Sequence, residues 1–95
     1  MIKPIKVGDS FSDGCVDRVI NIFWGVRRAL HTVDCIEYEC LFRVNGTWYL
    51  SEQCDGQNGG EMTTRLSGID DAAAEAYAEE RKAKWAPVRN SSRIW

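Results

Sequence analysis

Apolar residues recur at every second position from Ile36 to Phe42. Ile36, Tyr38, Cys40 and Phe42 alternate with Glu37, Glu39, Leu41 and Arg43. That period matches an extended strand with one face in a core. Val44-Asn45-Gly46 follows, then Thr47-Trp48-Tyr49-Leu50. Asn-Gly between two such runs is the strongest short-range hairpin signal, so a hairpin is predicted over 36–51. Two registers compete. A two-residue turn pairs Val44 with Thr47 and Phe42 with Tyr49, and leaves Trp48 and Leu50 beside Arg43 and Leu41. A three-residue turn, with Gly46 left-handed at a bulge, pairs Phe42 with Trp48 and Cys40 with Leu50. The second register gathers Ile36, Tyr38, Cys40, Phe42, Trp48 and Leu50 on one dry face. Burying a large side chain is worth about 1.5–3 kcal/mol, so this register is the expected one. Its wet face would carry Glu37, Glu39, Leu41, Arg43, Thr47, Tyr49 and Ser51.

Around the hairpin, Pro4–Val7 reads as a short first strand. Turn-forming clusters follow at Gly8-Asp9-Ser10 and Ser12-Asp13-Gly14. Residues 15–24 fit two patterns. Val16, Val19, Ile20 and Ile22 make a β-branched strand, while Val16, Val19, Phe23, Val26 and Leu30 are spaced as on a helix. The strand is preferred, with Gly25-Val26-Arg27-Arg28 as its turn and 29–35 as the return. Residues 53–60 (QCDGQNGG) read as a loop. A further strand is expected over 61–66, with Met62, Thr64 and Leu66 on one face. The C-terminal segment is rich in alanine and predicts a helix over 71–86. Asp70 would cap it, Pro87 would stop it, and 87–95 would be a tail. The apolar stripe of that helix is narrow: small alanines, then Tyr77 and Trp85. Such a stripe suits close packing on a sheet or on a partner.

These elements make one α+β domain over 1–95: an antiparallel sheet or small, partly open barrel of three to five strands, with one C-terminal helix. Val7-Gly8-Asp9 before a strand, with Tyr38, Gly46 and Ser51-Glu52 further on, resembles the Src-homology-3 type of barrel. The alternative is a sheet with one helix on one face.

Composition narrows the function classes. The net charge of −2 and pI near 5.3 argue against a dedicated nucleic-acid binder. No apolar run approaches the roughly 20 residues of a membrane span. The N-terminal residues lack the apolar stretch of a secretory signal, which points to a cytoplasmic protein. Cys15, Cys35, Cys40 and Cys54 are then expected as free thiols, with Cys40 a small core hydrophobe. No Cys-x-x-Cys pair is present, and zinc held by some of His31, Cys35, Cys40 and Cys54 is the alternative.

No segment carries a catalytic or cofactor motif. His31, the single histidine, could serve as a base, yet an ordinary histidine is expected. Glu37 and Glu39, about 7 Å apart on one strand face, are compatible with paired-carboxylate chemistry but also with any solvated strand. The loop from Asp55 to Gly60 lacks the alternating acids of a calcium site. Charge is segregated. Residues 31–69 hold six acids against Arg43 and Arg65, and the helix runs from Asp70, Asp71, Glu75, Glu79 and Glu80 into Arg81, Lys82, Lys84, Arg89 and Arg93.

The expected function is a non-catalytic protein-binding module with no cofactor and no metal. A phage or mobile-element accessory protein inhibiting a bacterial defence complex, in the manner of an anti-CRISPR protein, is one specific form. Its acidic face would compete for a surface that binds nucleic acid. The expected contact residues are Glu37, Glu39, Arg43, Tyr49, Tyr77, Arg81, Lys84, Trp85, Arg89 and Trp95, with aromatic and Arg side chains as anchors. The alternatives are a nucleic-acid-binding barrel using Arg27, Arg28 and the basic tail, and a zinc-stabilised module.

Overall fold

A computed structural model describes residues 2–27, 35–55 and 60–92, apart from the side chains of Arg27, Cys35 and residues 87–92. Five antiparallel strands follow one another in space as in sequence: β1 (Ser10–Phe11), β2 (Gly14–Arg27), β3 (Cys35–Val44), β4 (Thr47–Asp55) and β5 (Gly60–Leu66). The sheet curls into an open half-barrel, and α1 (Asp71–Ser92) packs on one side of it.

The hairpin forms, but in the two-residue register. Val44 pairs with Thr47, Arg43 with Trp48, Phe42 with Tyr49 and Leu41 with Leu50. Asn45 and Gly46 both have positive φ, at 51° and 78°. That combination makes the mirror-image turn whose twist matches the strands it joins. The burial argument assumed one wet face, and there is none. Leu41, Trp48 and Leu50 are buried on the helix side with Ile22, Phe23, Ala74 and Ala78. Val16, Tyr38, Cys40, Phe42 and Val44 are buried on the other side. Phe42 and Trp48 therefore belong to different cores.

The second core is closed by the N-terminal segment, with Ile2, Ile5 and Phe11 packed against it. Residues 4–7 are not a strand. They form part of an extended strap over the sheet, and the first strand comes later, at Ser10–Phe11. β2 is longer than expected and runs straight through Gly25-Val26-Arg27. Its register against β3 shifts between Val16 and Arg18 and again between Asn21 and Phe23. Each shift inserts one extra residue and moves the following side chains to the opposite face. β4 extends through Gln53-Cys54-Asp55, where a loop was expected, and β5 begins at Gly60.

Asp70 caps α1 as predicted, its side chain accepting from the Ala73 amide at 2.8 Å. The helix does not stop at Pro87 but reaches Ser92. Proline has a φ close to the helical value, so the helix continues there at the loss of one backbone hydrogen bond. Ala74 and Ala78 are fully buried, which lets α1 lie close over β2 and β3. His31, Arg28, Arg93 and Trp95 lie outside the described residues.

Gly25 marks a close approach under the helix. A Cβ there would lie 2.8 Å from the ring of Phe23, which is stacked on Trp85 at 4.2 Å and cannot retreat freely. Gly25→Ala should therefore cost about 1–3 kcal/mol through overpacking, measurable by urea denaturation. A neutral substitution would show that the stack is loose.

Candidate functional site

Most of the predicted contact set lies inside the fold. Glu39 is 2% exposed and faces α1. Arg81 donates to its Oε1, and Trp85 Nε1 donates to its Oε2 at 3.1 Å. Arg81 also reaches Glu52 at 3.7 Å and lies over the ring of Tyr77. The Glu39 and Tyr77 contacts, with Glu39 the stronger cause, raise the Arg81 guanidinium above its ordinary range. Glu39, Arg81 and Trp85 are thus a bolt between helix and sheet. Glu37 is half-buried opposite Gly25. The expected outward acidic strand face is not present, because that face is the one α1 covers.

A second cluster holds the start of α1. Arg43 bridges Asp17 and Asp71, at 2.7 Å to each. Trp48 Nε1 donates to Asp71 at 3.0 Å, and Arg18 pairs with Glu75. The guanidiniums of Arg18 and Arg43 lie 5.6 and 5.7 Å from the Trp48 ring centre. This is the burial of an aromatic beneath cations, available only because Trp48 stands opposite Arg43. Tyr49 is on the other face, half-buried against Phe11 and stacked on Phe42. Trp85 and Tyr49 are therefore packed rather than exposed anchors. Lys84 is exposed on α1, while the Arg89 side chain and Trp95 lie outside the described residues.

Tyr77 is the predicted contact residue that opens onto a surface groove. The groove, of about 570 Å³, lies between α1 and the end of β5. Leu66, Ile69, Ala73, Ala76 and Tyr77 make its apolar wall, and Arg65 and Glu80 are its charged margins. Beside it runs β5, in which only Leu66 is partly buried. Met62, Thr64 and Leu66 pair with Glu52, Leu50 and Trp48, which places all three on the helix face beyond the cover of α1. Met62 is 59% exposed. β5 has β4 on one side and, among the described residues, no strand on the other. The sequence pattern had put Met62, Thr64 and Leu66 together. The alanine wall of α1 carries no signal that separates it from an ordinary helix surface.

Across the sheet, the strap holds the other candidate surface. Cavities of about 410 and 430 Å³ flank it on either side. Burial raises the hydroxyl of Tyr38 above its ordinary range and pushes the Cys40 thiol up to about 11, so both are neutral at pH 7. Cys15, Cys40 and Cys54 are not in disulfides. Among the described residues, no group of three His, Cys, Asp or Glu is placed to hold a metal ion.

Two expectations follow. Arg81→Met should leave the Glu39 carboxylate buried without its cation and lower stability by about 3–5 kcal/mol. Glu39→Leu combined with Arg81→Met should recover most of that loss in urea denaturation, and simple additivity would contradict the pairing. Asp71 is held below the usual carboxylate range, first by the hydrogen bond from Arg43 and then by that from Trp48. A carboxyl lowered in the folded state stabilises above its unfolded pKa, about 3.9, and loses that contribution as pH falls through the folded value. The stability gap between the wild type and Asp71→Asn should be full near about pH 6 and shrink below about pH 4. A gap independent of pH would exclude this role.

No protein-family model matches this chain, and no significant match was found among curated proteins or solved structures.

Proposed function

We propose that this chain is a non-catalytic protein-binding module that receives an extended segment of a partner protein along β5, beside α1. The observation that carries this reading is the pairing of an open strand edge with an apolar groove next to it. The edge offers main-chain donors and acceptors, each worth about 0.5–1.5 kcal/mol net when paired. The groove offers Leu66, Ile69 and Tyr77 to the alternate side chains of the incoming strand. Met62 adds an adaptable thioether at the far end of the stripe.

Nucleic-acid binding is less well supported. Arg18, Arg43 and Arg81 are each engaged by carboxylates of the same chain, so a phosphate would have to compete with those pairs. The narrower expectation, an inhibitor of a defence complex, rested on small size and acidic character, with an outward acidic face as its means of competing. With Glu39 inside, that form is not the one put forward.

Peptides selected on the folded protein from a random library should bind in fluorescence anisotropy. Met62→Lys and Ala76→Glu, both at exposed positions, should weaken that binding at least tenfold (about 1.4 kcal/mol). Their stability should change by less than about 0.5 kcal/mol. Failure to enrich any peptide, or peptides indifferent to both substitutions, would overturn the reading.

A further inference from the structure

We infer that the sheet face opposite α1 is a second binding site, for an extended segment with an apolar–basic, proline, apolar–basic pattern, and that residues 2–6 of this chain occupy it as a replaceable strap.

The seat recognises backbone. The Gln53 carboxamide accepts from the Lys3 amide at 2.7 Å and donates to the Lys3 carbonyl at 2.8 Å. Tyr38 Oη accepts from the Ile5 amide at 3.2 Å. A neighbouring strand would satisfy an extended chain in the same way, but here side chains do it, and residues 2–6 belong to no ladder. Gln53 is only 6% exposed with the strap in place, so both bonds are made under cover and away from competing water. They engage backbone atoms only, so another extended segment could make them equally well.

The other contacts define the occupant's chemistry. Ile2 and Ile5 pack against the core of Tyr38, Cys40 and Phe42. Lys3 and Lys6 are exposed. Asp9 and Glu61 line the 410 Å³ cavity beside the strap and would favour a basic segment. Ser51, 2% exposed, lines the same cavity. Pro4 and Ile5 form a wall of both cavities, so the seat is wider than the strap in it. The strap joins the sheet at the turn from Lys6 to Asp9, where Gly8 N donates to Val16 O and Val16 N to Asp9 O, each at 2.8 Å, with Gly8 at a φ of 99°, a conformation that glycine adopts without strain. That turn is the hinge on which residues 2–6 can lift.

The test uses the full chain and a fluorescent synthetic peptide copying residues 2–6. Ile2→Ser with Ile5→Ser loosens the strap. This variant should bind the peptide at least tenfold more tightly than the wild type does, and adding Gln53→Ala should abolish the gain. No gain, or a gain that survives Gln53→Ala, would overturn the inference. Met62→Lys should leave this binding unchanged, which separates it from capture at β5. In the wild type, the Lys3 and Ile5 amides should exchange with deuterium far faster than those of β3, through local opening. Equal protection would show a strap that does not leave, and would also overturn the inference.

Discussion

A sheet with two apolar faces has to be covered twice. That requirement is set by β3, where Leu41 is buried on one face and Tyr38, Cys40 and Phe42 on the other. Among the described residues, two segments outside the strands do this. One helix covers one face, and a strap of a few residues covers the other. The asymmetry of the molecule follows. The helix side is fastened by ion pairs and stacked aromatics, whereas the strap side is fastened by three hydrogen bonds and two isoleucines.

The buried Glu39 illustrates what fastening the helix involves. A carboxylate in that position is unfavourable by itself, because it has lost its water. It is tolerated because Arg81 and Trp85 converge on its two oxygens. Both come from α1, four residues apart, so only one rotation and one axial position of the helix satisfy them. The hydrophobic contacts of Ala74 and Ala78 are less selective, since small side chains slide. The polar contacts thus fix a position that the apolar contacts leave loose.

Much of the architecture was legible in the residues. The alternation over 36–42 and the Asn45-Gly46 turn specified the hairpin, and Asp70 with the alanine-rich run specified the helix. The register was not legible, because it was decided by assuming a wet face, and tertiary cover from α1 removed that face. The helix-or-strand ambiguity of 15–24 has a physical source. The first bulge in β2 places Val16 and Val19 on one face three residues apart, a spacing that imitates a helix. Charge patterning misled for a similar reason: Glu39 and Arg81 lie 42 positions apart, and nothing local shows that they cancel. Among the described residues, Tyr77 is the one expected contact residue that lines the groove. Its companions are alanines whose role comes from position, not type.

The two lateral margins of the sheet also differ in kind. On one side β1 is two residues long and β2 is interrupted twice, so no straight run of free amides faces outward there. On the other side β5 is regular. Among the described residues, the two margins are therefore not equivalent: a regular run of main-chain donors and acceptors is presented at β5 and not at β1.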